Sequence, residues 1–305
     1  MASLLYAGPL WGIDLGGTKI EGCAAVQGPD GLAALARLRV PTQAERGYEA
    51  IVDRVSEVVA RLEQATGSTR PRLIGVGSPG ARRPDGTMKN CNTTSLNGRR
   101  LDEDLSSALG TKVILANDAD CFALAEARHG AGRGSRTVFG VIMGTGVGGG
   151  LVVEGRLLTG PNGLAGEWGH TTLVPNGEPC YCGRAGCVER YISGPAVEAR
   201  FEAETRERLS LAEIASRAES DMKCASIVRQ FCEGFGRALA SVVNVLDPDV
   251  IVLGGGAGQT PQLLTWGLQD LQANIFGPDF VTPLVRPELG DSAGVFGAAL
   301  LTVGH

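Results

Sequence analysis

A strand, a glycine-rich turn and a returning strand occur twice in this chain, near the start and again past its middle. The first copy reads as a strand from Leu10 to Asp14, the turn Gly16-Gly17-Thr18-Lys19 and a strand from Ile20 to Val26. The turn residues Gly28-Pro29-Asp30-Gly31 then lead into a third strand, Leu32 to Val40. The second copy has a strand from Val138 to Met143, the loop Gly144-Thr145-Gly146-Val147-Gly148-Gly149-Gly150, a strand from Leu151 to Val153 and a turn at Glu154-Gly155. Each hairpin is followed by helix and then by a buried strand that breaks on glycine. These are Arg72 to Gly77 before Ser78-Pro79-Gly80, and Val250 to Leu253 before Gly254-Gly255-Gly256. Two halves in one order imply an internally duplicated α/β fold, with the glycine turns of both halves facing a cleft between them.

The helices between these strands carry ordinary core stripes. Tyr48 to Thr66 sets Ile51, Val52, Val55, Val58, Val59 and Leu62 at helical spacing and closes on Gly67. An amphipathic patch from Leu101 to Leu109 precedes the strand Lys112 to Leu115, which runs straight into Ala116-Asn117-Asp118-Ala119-Asp120 and a helix through Ala127. Asn117 has the character of an N-cap, which puts Asp118 in the first turn, where the helix dipole favours an ionised carboxylate. An Asp there is equally read as a helix-start signal alone. Further on come a helix from Pro195, one capped by Ser210 with Glu213 closing a capping box, and a long one from about Ser226 to Leu246. The long helix is expected to bury Ile227, Phe231, Phe235, Leu239, Val242 and Leu246.

Two stretches carry chemistry beyond folding. Lys19 after a glycine turn invites a phosphate-loop reading, but the G-x-x-x-x-G-K-[ST] spacing is absent and a strand follows, not a helix. What remains is a hairpin turn exposing backbone N–H groups, a nest suited to phosphate oxygens, although ordinary hairpins also carry Gly-Gly. Between Gly166 and Glu189, Cys180, Cys182 and Cys187 form a C-x-C-x4-C cluster, with His170 ten residues before the first of them. One histidine and three thiols are the soft donor set of a closed tetrahedral zinc site. Buried or redox-active cysteines beside an unrelated histidine are the other reading. Glu167 and Glu189 flank the cluster, so a metal clamp would also hold two carboxylates rigidly, as a pocket for a polyhydroxylated ligand requires.

A chain of 305 residues with 43% hydrophobic and 20% charged residues has ample core for two domains. Its net charge of -5 and scattered basic residues argue against a nucleic-acid partner. The apolar start MASLLYAGPLWG lacks the pattern of a signal peptide and no run approaches a membrane span, so the expected location is the cytoplasm. Eight cysteines, three of them metal-spaced, fit reduced thiols better than a disulfide framework.

Hairpins that cradle phosphate on both walls of a cleft are the architecture of actin-like (ribonuclease H-like) ATPases and sugar kinases. Four segments make the resemblance specific: Asp14-Leu15-Gly16-Gly17-Thr18-Lys19, Gly144-Thr145-Gly146, Glu167-Trp168-Gly169-His170 and Cys180-Tyr181-Cys182-Gly183-x-x-Gly186-Cys187-Val188-Glu189. Together with Gly290-Asp291-Ser292-Ala293-Gly294 they resemble the ROK family of sugar kinases and repressors over essentially the whole chain. The resemblance implies two lobes. The smaller takes residues 1–117 with 292–305, and the larger takes 118–291, with the zinc motif and the adenosine site.

It also implies roles. Asp118 would be the general base that takes the proton from the sugar hydroxyl. Asn117, Asp118, Glu167, His170 and Glu189 would hold the sugar, with His170 also ligating zinc through one ring nitrogen. Gly16, Gly17, Thr18 and Lys19, with Gly144, Thr145 and Gly146, would hold the ATP phosphates, and Gly254, Gly255 and Gly256 would border the adenosine. Asp14 would meet the Mg2+ that travels with ATP, directly or through water, and His170, Cys180, Cys182 and Cys187 would hold a structural zinc. Lys89 to Gly98, Pro179 to Gly194 and Asn244 to Gly256 look most like the bacterial fructokinase/mannokinase branch. The reaction this implies is ATP-dependent 6-phosphorylation of a hexose, with fructose first and mannose beside it. A glucokinase or N-acetylhexosamine kinase of the same family is the alternative. The family's repressors carry a DNA-binding domain ahead of the first hairpin, and Asp14 arrives after only 13 residues, so a sugar-sensing regulator is disfavoured. The resemblance implies a homodimer.

Overall fold

A computed structural model describes residues 8–28, 31–277 and 279–303. Pro29 and Asp30, the centre of one expected turn, lie outside the described residues. The chain divides into two compact units. The first takes the described residues within Met1–Arg133, Arg156–Ala165 and Glu288–His305, and the second takes Gly134–Gly155 and Gly166–Pro287.

In the first unit, strands β1 (Leu10–Leu15), β2 (Lys19–Gly28), β3 (Gly31–Pro41), β4 (Leu73–Ser78) and β5 (Lys112–Asn117) form one sheet. Their order is β3-β2-β1-β4-β5. β1 to β3 are antiparallel neighbours, while β4 lies parallel to both β1 and β5. Side chains alternate across β1, so Trp11, Ile13 and Leu15 join one core with Ile51, Val55, Val58, Val59 and Leu62 of helix α1 (Tyr48–Thr66). Helix α2 (Leu101–Leu109) adds Leu101, Leu105 and Leu109 to that core.

The other face of β1 and β4 receives the last helix, α9 (Ala293–Leu300), which also packs on α3 (Asp118–His129). The approach is too close for side chains between the backbones. A Cβ on Gly75 of β4 would lie 1.7 Å from the Ala298 carbonyl oxygen, and one on Gly297 would lie 1.7 Å from that of Cys121. Glu126 of α3 is fully buried. Its carboxylate accepts the backbone N–H groups of Ala131 at 2.9 Å, Glu288 at 3.1 Å and Leu289 at 3.0 Å. A buried charge so satisfied pins the segment that brings the chain back to α9.

The second unit repeats the pattern. β6 (Thr137–Met143) and β7 (Val147–Val153) form an antiparallel hairpin, and β8 (Val250–Gly254) and β9 (Leu284–Val285) extend it in parallel beyond β6. This is the expected duplicated actin-like plan. Helices α4 (Glu189–Ile192), α5 (Gly194–Thr205), α6 (Leu211–Arg217), α7 (Met222–Leu246) and α8 (Trp266–Asn274) complete it. The Ser210–Glu213 capping box of α6 forms as expected.

α7 begins four residues ahead of the expected start because Asp221 caps it, accepting the N–H groups of Lys223 and Cys224. Its core row runs Ile227, Phe231, Phe235, Leu239 and then Val243 by continued i+4 steps, leaving Val242 and Leu246 half-buried where the sequence pattern expects them inside. α8 is not marked by the sequence pattern. All eight cysteines are free. Among the described residues no helix is long and apolar enough to cross a membrane.

Candidate functional site

In the first unit the candidate residues gather at the carboxyl ends of β1, β4 and β5, where parallel strands leave room for ligands. Register places Asp14 beside Gly77, and Ser78 beside Asn117. Asn117 caps α3 as expected: its Oδ1 accepts the Ala119 N–H at 2.8 Å, and its Nδ2 donates to the Gly80 carbonyl at 2.8 Å. The amide keeps a second N–H for a ligand, but its plane is fixed. Asp118 follows as the first residue of α3, exposed at the positive end of the helix. Next to Asn117 a cavity of about 190 Å³ is lined by Ser78, Gly80, Ala81, Arg82 and Met88. The buried Ser78 Oγ has no hydrogen-bond partner among the described residues.

The first glycine turn joins β1 to β2. The Gly16 N–H donates to the Lys19 carbonyl at 3.0 Å, and Thr42 holds the turn through Oγ1 donating to the Gly16 carbonyl at 2.6 Å and its N–H donating to the Thr18 carbonyl at 2.9 Å. Gly17, Thr18 and Lys19 are exposed, and the N–H groups of Gly17 and Thr18 make no hydrogen bond among the described residues. Both N–H groups are thus left open to an acceptor outside the chain. Asp14 lies just below it, close against Gly294 of α9, where an added Cβ would sit 3.0 Å from Oδ2. Burial, and then the neighbouring Glu21 carboxylate, push the Asp14 carboxyl up to about 6. A carboxylate disfavoured in this way fits a place where a cation completes the charge.

In the second unit the turn between β6 and β7 is closed by the Gly144 N–H donating to the Gly146 carbonyl at 2.9 Å. Gly194, at the start of α5, donates to the Gly144 carbonyl at 2.9 Å. Thr145 is the exposed tip. Gly254 ends β8 opposite Ile142. Gly255 then turns with a φ of 77°, so close to Met143 that a Cβ would lie 2.3 Å from its carbonyl oxygen. The two glycine runs assigned to ATP are therefore neighbours within this unit.

Glu167, the 3-10 turn Trp168–His170 and Glu189 are laid on β7. The Trp168 indole donates to the Gly148 carbonyl at 2.8 Å, and its ring meets Phe139 edge-on at 6.2 Å. Glu189 opens α4 and reaches back, its Oε2 accepting the Val147 N–H at 2.9 Å. His170 brings the cysteines together. Its Nδ1 lies 3.6 Å from Cys180 Sγ, Cys182 Sγ lies 3.6 Å from Cys187 Sγ, and the four donor atoms are within 4.8 Å of one another. Tetrahedral zinc with bonds of about 2.0–2.3 Å spaces its ligands about 3.5–3.8 Å apart, so the set fits that ion.

Tyr181, which no sequence pattern singles out, stands at the other side of His170. Its hydroxyl is 3.1 Å from Nε2, and the rings meet edge-on at 5.2 Å and 87°. Although most of the residue is exposed, desolvation of its phenol, followed by the negative groups at Glu189, Cys180 and Glu167, pushes that phenol up. Its position between two metal-spaced cysteines is the signal that could have marked it.

Compared with known proteins, residues 10–304 match the ROK family model. The chain is 35% identical to the N-acetylgalactosamine kinase AgaK of Shewanella sp. (strain ANA-3), over 97% of this chain and 96% of that protein. It is 34% identical to the N-acetyl-D-glucosamine kinase of Photobacterium profundum, over 96% of this chain and 99% of that one. The ROK hexokinase of Thermus thermophilus superposes with a TM-score of 0.84 at 34% identity, covering 96% of this chain and 97% of its own.

Proposed function

The chain belongs to the ROK family and is a sugar kinase, and on that footing we propose that it transfers the γ-phosphoryl group of ATP to the 6-hydroxyl of a 2-acetamido hexose. The observation that carries the reaction is Asp118: an exposed carboxylate at the start of α3, behind a cap whose amide is fixed at both ends. Such a group accepts the proton of the attacking hydroxyl as the new P–O bond forms, while binding and charge stabilisation do most of the remaining work of phosphoryl transfer.

Asn117 orients the same hydroxyl region through its second N–H. Within the second unit, Glu167, His170 and Glu189 are assigned to sugar hydroxyls. The nests at Gly16 to Lys19 and Gly144 to Gly146 bind the phosphates through backbone N–H groups, and Gly254 to Gly256 border the adenosine. Asp14 would hold Mg2+, directly or through water, and that ion would neutralise phosphate charge. His170, Cys180, Cys182 and Cys187 would hold zinc. Bound by these four donors, zinc would supply rigidity to the loop.

Two observations support an acetamido sugar over fructose, which the resemblance of short segments puts first. The full-length relatives at 35% and 34% identity are named for N-acetylgalactosamine and N-acetylglucosamine. The cavity beside Asn117 also offers room for a substituent that fructose lacks. A coupled assay of ADP release across N-acetylgalactosamine, N-acetylglucosamine, glucose, mannose and fructose tests this. The expected result is a kcat/KM for an N-acetylated sugar at least about tenfold above that for fructose, the discrimination a few polar contacts provide. Fructose as the best substrate would sink the substrate assignment, and no turnover with any hexose would sink the kinase.

A further inference from the structure

His170 has two ring nitrogens and two claims on them. Nδ1 faces the thiols, 3.6 Å from Cys180 Sγ. A histidine that ligates through Nδ1 carries its proton on Nε2, which is then a donor with one hydrogen to give. That donor meets the Tyr181 hydroxyl at 3.1 Å. The proposed role of His170 on the sugar needs the same hydrogen, because Nε2 is the only ring nitrogen left. One N–H makes one good hydrogen bond, so Tyr181 and a sugar hydroxyl exclude each other at this atom.

We propose that Tyr181 gates the sugar site: its hydroxyl takes the Nε2–H of His170 in the sugar-free protein and gives it up when a hexose binds. The inference rests on the reading above, that His170 holds a sugar hydroxyl. The position of Tyr181 in the chain suits the task. It lies between Cys180 and Cys182, so a metal that fixes both neighbours fixes its backbone and leaves only its side-chain torsions to move. With 63% of its surface exposed it has room to swing away, and the ring contact it leaves is a single edge-on one. Sugar affinity is thus lowered by one hydrogen bond that must break, and a ligand whose hydroxyl sits badly at Nε2 fails to displace the phenol. Tyr181 is in this sense a specificity-determining residue, and no proton leaves either group.

The test uses zinc-loaded full-length protein, wild type and Tyr181→Phe, titrated calorimetrically with N-acetylgalactosamine and N-acetylglucosamine in the absence of ATP. The variant keeps the ring and loses the competing hydroxyl. Sugar should bind about 3- to 10-fold tighter, the worth of one net hydrogen bond, and the KM for sugar should fall by the same factor. The KM for ATP, the zinc content and kcat should stay within about twofold of wild type, since a ground-state contact alone has changed. Near-ultraviolet circular dichroism gives a second readout: sugar should change the tyrosine signal of wild type, and that change should be missing in the variant. Unchanged or weaker sugar binding by the variant, or the same tyrosine change in both proteins, overturns the gate while leaving the kinase intact. A wild type that neither binds nor phosphorylates any hexose removes the role of His170 on sugar, and the gate falls with it.

Discussion

Glu189 Oε2 accepts the backbone N–H of Val147 at 2.9 Å, so a carboxylate assigned to the sugar is tied to the first residue of the strand that leaves the second glycine turn. A Cβ on Gly146 would lie 2.7 Å from that same oxygen. Gly146→Ala should therefore push Glu189 off Val147, and the KM for sugar should rise about tenfold, the scale of a lost hydrogen bond to a charged group. Steady-state kinetics with each substrate varied in turn checks this. A change confined to the KM for ATP would mean that the turn and the carboxylate act independently.

Asp118→Asn keeps the size and the helix-start position of the side chain but removes its basicity. Turnover should fall by about 10²-fold or more, the usual worth of a general base, while sugar binding measured without ATP changes little. Near-normal kcat in this variant would take Asp118 out of the chemistry.

The zinc prediction concerns sugar more than nucleotide. Purified protein should carry about one zinc per chain, as a closed four-donor site does. Cys182→Ser, or chelation, should lower the melting temperature, because binding energy at such a site is also folding energy. It should raise the KM for sugar, through His170 and Glu189, and move that for ATP far less. Full activity and stability in metal-free protein would return the three cysteines to the reading of unconnected thiols.

Packing of the last helix gives a stability prediction. Gly297→Ala places a methyl 1.7 Å from the Cys121 carbonyl oxygen, where backbone, not a flexible side-chain end, must move. The cost should be about 1–3 kcal/mol or more, read as a lower melting temperature in zinc-loaded protein. A variant as stable as wild type would show that α9 and α3 can separate without penalty.

The parts of the structure that were legible in the sequence are those where one local rule acts alone. The stripe of α1 and its closing Gly67, the Asn117 cap and the Ser210–Glu213 box depend on neighbours a few residues away, and they stand where the pattern put them. The cysteines and His170 converge as their donor chemistry implied. The far end of α7 departs from its sequence pattern because Val242, Val243 and Leu246 are all apolar, and only the packing partner decides which of them faces in. α8 carries no such signal, because it is made by its contact with α7 and not by its own periodicity. Tyr181 and the Glu189–Val147 bond were invisible for a different reason. Each joins residues 11 and 42 positions apart through geometry that no spacing rule records.

α9 also governs the order in which the first unit can be made. β1 is the first described strand to leave the ribosome and α9 the last helix, yet α9 packs directly on one face of β1 and β4. All of the second unit is synthesised between them. Until α9 emerges, the parts of β1, β4 and α3 that it packs against lack its cover, and the segment held by Glu126 does not yet exist. The second unit can therefore fold during translation, whereas the first must wait with an open sheet for a closure that spans nearly the entire chain. Loss of only the last dozen or so residues should then be felt as a failure of the oldest part of the chain to fold, and nascent protein should depend on chaperones in the interval before release.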